Sequence, residues 1–270
     1  MNKEQIDKII TSFIEELRPL NLVSEDILEK EKKELELKNF AIKESGVTLD
    51  NNFLAQMIDH TILKPNASKA DIEKLCSEAA KYNFMSVCVN PCNVTLCSEY
   101  LKLSKVKVCT VIDFPLGSNF QDANIYEAEC ALKNGAEELD MVINTGRLKD
   151  KDYAYVYNDI KNLAGCKSAN GSFLLKVIIE TCLLTDEEKI KACMLSKLAK
   201  AGYVKTSTGF STAGADHKDI ALMRYVVGGS LGVKASGGVK TREKAELMVA
   251  NGASRIGTSS GIDILSGVNK

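Results

Sequence analysis

An α/β fold, a (β/α)8 TIM barrel with an N-terminal helical extension, is predicted by three features of this sequence. From about residue 52 onward, short apolar, β-branched runs alternate with longer amphipathic ones, the pattern of successive βα units. Glycines punctuate the helix-to-strand joints in Asn134-Gly135-Ala136, Ala201-Gly202-Tyr203 and Asn251-Gly252-Ala253, where a left-handed residue closes a helix and a short loop feeds the next strand. The chain has 270 residues, a length that suits one barrel of roughly 250 residues. An open doubly wound sheet of this size more often has about five or six strands and carries a nucleotide fingerprint.

Residues 1–50 read as the extension and residues 51–270 as the barrel. Within residues 4–17, Ile9, Ile10, Phe13, Ile14 and Leu17 form a helical stripe. Residues 25–43 are denser in charge, with Leu28, Leu35, Leu37, Phe40 and Ile42 between lysines and glutamates, and are expected to continue as helix. Strands are expected at residues 55–58, 86–89, 107–113, 138–144, 174–180, 203–207, 232–236 and 254–257. Ser68 with Asp71, and Thr185 with Glu188, have capping-box spacing and open helices between them. His217 is placed at a helix start, and His60, next to Asp59, in a structural hydrogen bond to backbone, with a place facing the site as the alternative.

Composition narrows the partners. Apolar residues make up 45% and charged residues 26%, and the formal net charge is -1, so no electrostatic field favours nucleic acid or an anionic membrane. The nine cysteines lie within apolar patterns, as reduced core cysteines do, which points to the cytoplasm. Cys88, Cys92 and Cys97 lack the spacing and the histidine of a zinc knuckle, so no metal is expected. No leader-like segment or membrane-length apolar run stands out.

Three charged residues fall on or near the expected strand ends. Lys205 closes Gly-Tyr-Val-Lys-Thr-Ser-Thr-Gly and Lys234 lies in Gly-Val-Lys-Ala-Ser-Gly-Gly-Val, while Asp140 is flanked by Leu139 and Met141. Barrels build their active sites at the carboxyl ends of strands. An ammonium in a low-dielectric site, pressed by a second cation, tends to lose its proton, and a neutral lysine amine attacks carbonyls to form a Schiff base. Asp140 would be costly among apolar neighbours without a cation to meet it. Gly237-Gly238 after the seventh strand and Gly257-Thr258-Ser259-Ser260-Gly261 after the eighth offer an anion seat for phosphate. Gly-Phe-Ser-Thr-Ala-Gly (209–214) is neither a P-loop nor a dinucleotide fingerprint, so neither ATP nor NAD is supported and no cofactor is expected.

Tyr-Val-Lys-Thr-Ser-Thr-Gly-Phe, Glu-Leu-Asp-Met-Val-Ile-Asn, Val-Lys-Ala-Ser-Gly-Gly-Val and Ile-Asp-His-Thr-Ile-Leu-Lys-Pro together resemble the deoxyribose-phosphate aldolase family, from about residue 52 to the end of the barrel. The resemblance implies a metal-free class I lyase of deoxyribonucleotide and carbohydrate catabolism. It would reversibly cleave 2-deoxy-D-ribose 5-phosphate to D-glyceraldehyde 3-phosphate and acetaldehyde. By motif match Lys205 would form the Schiff base, Lys234 would lower its pKa, and Asp140 would assist proton transfer through water. Asp59 would support the site from the first strand, and Cys88, Thr208, Gly209, Gly237, Gly238, Ser259 and Ser260 complete the expected substrate and phosphate contacts. The partner is then a small sugar phosphate, and a homodimer is the expected assembly. Some relatives carry a lysine where this chain has Phe210, and some end on a proton-transferring tyrosine where this chain reads Val268-Asn269-Lys270. On the residues alone, a sugar-phosphate isomerase or epimerase that uses Asp140 and a lysine without covalent attachment stays open, as does a non-catalytic sugar-phosphate binder.

Overall fold

Eight parallel strands close into a barrel in sequence order in a computed structural model of the chain, which describes residues 1–168 and 171–267. They are β1 Ile58–Ile62, β2 Ser86–Val89, β3 Lys107–Ile112, β4 Glu138–Val142, β5 Leu174–Ile178, β6 Tyr203–Lys205, β7 Gly232–Ser236 and β8 Arg255–Thr258. Closure is made by Ile58, Asp59 and His60 of β1 lying beside Ile256, Gly257 and Thr258 of β8. Helices cover the outside, and both expected capping boxes form, at Ser68 with Asp71 and at Thr185 with Glu188. His217 is the first residue of helix His217–Val227.

Alternation along each strand sends apolar side chains out to the helices and polar ones into the barrel. On β4, Leu139 and Met141 join the core shared with the helices, while Glu138 and Asp140 face inward with no contact to water beyond a few per cent. Barrel interiors are ordinarily filled by branched aliphatic side chains. Here much of that space is taken by Asp59, Glu138, Asp140, Lys176, Lys205, Lys234 and Arg255, all buried.

Several boundaries differ from the sequence reading. The first strand starts at Ile58, because residues 51–55 form a short helix, Asn51–Ala55, whose first N–H groups are capped by the Asp50 carboxylate. Strands expected to run to residues 113 and 180 stop earlier, as Asp113 and Glu180 turn the backbone into the left-handed region at φ 52° and 55°. Gly135 and Gly252 do take left-handed conformations, whereas at the third joint Lys200 does so, and Gly202 lies where a Cβ would press on Leu174. The second helix of the extension ends at Glu34, with a 3-10 turn Leu35–Leu37 after it. The remaining residues to 50 run irregularly across the barrel's outer helices because tertiary hydrogen bonds replace helical ones. Lys38 Nζ donates to the Val226 carbonyl, Lys43 exchanges two bonds with the Asn251 amide, and Leu49 N–H donates to Glu246.

The extension shares the main core rather than lying loosely beside it. Ile6, Ile10, Phe13, Ile14 and Leu17 are buried, and the Phe13 ring meets Tyr153 edge to face at 4.8 Å. Lys191 reaches Glu16 at 3.1 Å, Lys197 reaches Glu31 and Glu34, and the Tyr225 hydroxyl donates to Asp7. Truncating this anchor should therefore be costly: Phe13→Ala is expected to lower unfolding stability by about 3–5 kcal/mol in urea denaturation without changing the active site. A loss below about 1 kcal/mol would show that the extension is only loosely attached.

Candidate active site

Inside the carboxyl end of the barrel, the Asp140 carboxylate is the meeting point of three lysines. Its Oδ2 accepts from Lys205 Nζ at 2.8 Å and from Lys234 Nζ at 2.7 Å, and its Oδ1 accepts from Lys176 Nζ at 2.7 Å. Strand register brings them together: Asp140 lies beside Lys176 on β5, and Lys205 beside Lys234 on β7. Lys234 also pairs with Asp59 at 2.5 Å, and Lys176 with Glu138 at 2.7 Å. Arg255 completes the set, its Nε donating to Asp59 at 2.8 Å and its terminal nitrogen to Glu138 at 2.7 Å.

These contacts decide the charge states. Burial alone would raise the Asp140 pKa, but Lys176, Lys205 and Lys234 outweigh it and hold the carboxyl well below the usual range. Burial would likewise strip the proton from Lys234, and Asp140 with Asp59 more than offsets that, so Lys234 is held as a cation. Lys176 is held charged in the same way, by Asp140 among others against its burial. Asp59 stays ionised because Arg255 and Lys234 overcome its desolvation.

A pocket of about 460 Å³ opens above this network, and Lys205 is the one member of the network that lines it. Of the other residues singled out in the sequence, Thr208, Gly209, Gly237, Gly238 and Ser259 line the pocket, whereas Lys234, Asp140, Asp59, Cys88 and Ser260 do not. Asp59 lies beneath Lys234, and Cys88 packs with Cys109, Leu63 and Val111 inside the barrel. Gly237 and Gly238 both have left-handed backbones, at φ 84° and 70°, which aims their loop at the cavity. The Glu180 carboxylate fixes Thr208 by accepting from its N–H at 3.2 Å and its hydroxyl at 2.5 Å. Thr258 ties the last two loops together, donating to the Val239 carbonyl and accepting from Ser260 N–H.

Further residues line the pocket. Lys64 and Lys240 bring cations to the wall, and Phe210 presents a half-exposed ring packed edge to face on Phe114 at 5.4 Å. Ser236 lines the pocket with a buried hydroxyl that lacks a protein partner. His60 also borders it, with Nε2 2.9 Å from Glu78 and the Thr258 backbone also acting on the ring; burial lowers its pKa, against the pull of both. Val268-Asn269-Lys270 lie outside the described residues.

Lys176, Glu138 and Arg255 were also missed by sequence reasoning. Lys176 sits in Leu-Leu-Lys-Val-Ile-Ile with apolar neighbours on both sides, as Asp140 does, so counting inward positions on adjacent strands would have found the pair. Cys88, Cys109 and Asp140 place ligand-type atoms within 4.8 Å of one another. They do not suit a metal ion, because Asp140 already accepts from three lysine Nζ groups and Lys176 lies 3.3 Å from the Cys109 sulfur.

A family model described as DeoC/LacD family aldolase matches residues 53–267. The chain belongs to that family. It is 61% identical over 219 residues to a deoxyribose-phosphate aldolase of Clostridium perfringens, covering 81% of this chain and 97% of the relative. A deoxyribose-phosphate aldolase of Lysinibacillus sphaericus is 59% identical over 220 residues, covering 82% of this chain and 97% of that one. A structure from Coccidioides immitis, described as a candidate deoxyribose-phosphate aldolase, matches 98% of this chain and 97% of its own, with TM-score 0.80 and 37% identity. A tetrameric deoxyribose phosphate aldolase from Aeropyrum pernix matches 80% and 91%, with TM-score 0.75 and 33% identity. As a DeoC/LacD family member the chain is an aldolase, a carbon–carbon lyase.

The loop architecture gives a local test. A Cβ on Gly214 would fall 2.1 Å from the Gly237 carbonyl oxygen, and Ala215 N–H already donates to that oxygen at 2.9 Å. Gly214→Ala must displace the Gly237-Gly238 loop, so KM for substrate is expected to rise by roughly tenfold or more in steady-state kinetics. An unchanged KM would mean that this loop does not shape binding.

Proposed function

We propose that this aldolase reversibly cleaves 2-deoxy-D-ribose 5-phosphate to D-glyceraldehyde 3-phosphate and acetaldehyde through a Schiff base on Lys205. The observation that carries the proposal is that Lys205 alone brings an amine from the buried charge network to the pocket wall. The relatives named deoxyribose-phosphate aldolase support the choice of substrate.

The uncharged amine attacks the aldehyde carbon of the open-chain sugar, and loss of water with uptake of one proton, given back at the final hydrolysis, yields a protonated imine. That imine is an electron sink. Asp140, acting through water, accepts the proton of the C3 hydroxyl as the C2–C3 bond breaks, which releases glyceraldehyde phosphate and leaves an enamine on Lys205. The same proton returns to the enamine carbon, and hydrolysis of the resulting imine frees acetaldehyde and the amine. Lys234 keeps a fixed positive charge next to Asp140 and Lys205 throughout.

Phosphate is assigned to the far side of the pocket. Backbone N–H groups of the Gly237-Gly238 loop, Thr208 and Gly209, the Ser259 hydroxyl and the cations of Lys64 and Lys240 supply donors there. Ser236, with its unpaired hydroxyl, is suited to a sugar hydroxyl. Holding the phosphate orients C1 toward Lys205 and lowers the entropic part of the barrier. Steady-state release of acetaldehyde from 2-deoxyribose 5-phosphate, coupled to a nicotinamide-linked reductase, tests the assignment. Turnover supports it, and no release with fully folded protein would refute it.

The nine cysteines are free, which fits a reducing cytoplasm, and among the described residues no helix is long and apolar enough to cross a membrane. Recovery with membranes or outside the cell would contradict that placement. Leu116, Phe120 and Tyr126 expose apolar surface that fits a homodimer contact. A monomer in sedimentation would remove that part of the proposal.

A further inference from the structure

The buried charges form a closed circuit. Starting at Asp140, contacts pass to Lys176, from Lys176 to Glu138, from Glu138 to Arg255, from Arg255 to Asp59, from Asp59 to Lys234, and from Lys234 back to Asp140. Three anions alternate with three cations, so the circuit is neutral as a set, and each member touches two of opposite sign. Lys205 is outside it. Its single carboxylate contact is the Asp140 oxygen that Lys234 also uses.

We infer that Glu138 and Arg255, which touch neither Lys205 nor the pocket, are positioning residues that close this neutral ring and leave the Lys205 proton as the surplus charge of this network. The inference rests on the Schiff-base reading of Lys205. Without Arg255, Asp59 and Glu138 would each keep one cation partner and the interior would turn more negative, retaining the proton on the amine. Without Glu138, Lys176 and Arg255 would each lose a counter-charge and the interior would turn more positive, expelling it. Buried charges are only weakly screened by salt, so a change on the far side of the ring is felt at Lys205.

Every strand contributes to the surroundings of that proton. Asp59 comes from β1, Cys88 from β2, Cys109 from β3, Glu138 and Asp140 from β4, Lys176 from β5, Lys234 from β7 and Arg255 from β8. Cys109 donates to Asp140 at 3.3 Å, and His60, Lys64, Asp71, Lys74, Glu78 and Lys240 line the pocket that Lys205 enters. The Tyr203 ring lies 5.9 Å from the Arg255 guanidinium on the ring's far side.

The test is the pH at which borohydride traps half of the maximal acetaldehyde adduct on Lys205, read by peptide mass for wild type, Glu138→Gln, Arg255→Gln and the double variant. The midpoint is expected to fall by about one pH unit in Glu138→Gln and to rise by about one in Arg255→Gln. In the double variant, where both charges are gone and the sum is restored, it is expected to return to the wild-type value. A general loosening of the barrel would lower adduct yield in both single variants without moving their midpoints in opposite directions. Midpoints that coincide, or move the same way, would overturn the inference. Should a single variant not fold, the isoelectric double variant decides: an unchanged midpoint supports the ring and a displaced one refutes it. Absence of any Lys205 adduct in wild type would instead strike the Schiff-base reading.

Discussion

Lys205→Ala is expected to abolish aldol cleavage while leaving the barrel folded and as stable as the wild type. The amine is the only group of the charge network at the pocket wall, so no neighbour can take over its attack on the aldehyde. Loss of a covalent nucleophile is expected to cost roughly 10⁵-fold or more in kcat, down to the uncatalysed rate. Stability is spared for a reason visible in the contacts. Asp140 keeps Lys176 on one oxygen and Lys234 on the other, so removing Lys205 strands no buried charge. Steady-state kinetics together with thermal unfolding separate the two effects. A variant with more than a few per cent of wild-type turnover would defeat the assignment of Lys205.

Asp140→Asn is expected to do the opposite to the fold and similar damage to the chemistry. It removes the one anion shared by Lys176, Lys205 and Lys234, leaving buried ammonium groups crowded around a neutral amide. Breaking a buried charge pair by deleting one partner costs about 3–5 kcal/mol, and here three partners are affected. Loss of the proton acceptor adds roughly 10²–10⁴-fold in kcat. The pH dependence follows from the depressed pKa of Asp140. Its ionised form contributes stability that is complete above the ordinary aspartate value of about 4 and fades as pH falls from there toward the lowered native value. The stability gap between wild type and Asp140→Asn should therefore be constant from neutral pH down to about 5 and narrow below about 4. Urea unfolding across that range measures it, and a gap that narrows already near neutral pH would show that Asp140 is not held ionised.

Much of the barrel could be read before the structure was known. Strands β2 to β8 begin within a residue of their expected starts, since each is a compact apolar run bounded by a glycine or cap signal. The first strand was misplaced because Leu54 and Ala55 are as apolar as Ile58, and only the Asp50 cap shows that they belong to a helix. Residues 38–43 were misread as helix because partners more than 180 residues away in sequence hold them, and local propensity carries no trace of such bonds. In the candidate site, Lys205, Lys234 and Asp140 stood out as charges in apolar company; Lys205 is the last residue of β6, whereas Asp140 and Lys234 sit mid-strand in β4 and β7, and Asp140 is within hydrogen-bond reach of both lysines. Lys176, Glu138 and Arg255 stayed hidden because their significance lies in register across neighbouring and opposite strands. A charge inside one strand cannot reveal which charge closes onto it from another.

The most direct test of the account is to incubate the native protein with acetaldehyde, reduce with borohydride, digest it and weigh the peptides. A single ethylated lysine at position 205 is the expected result. No modified lysine, or modification at Lys234 or Lys176 with Lys205 untouched, would contradict it.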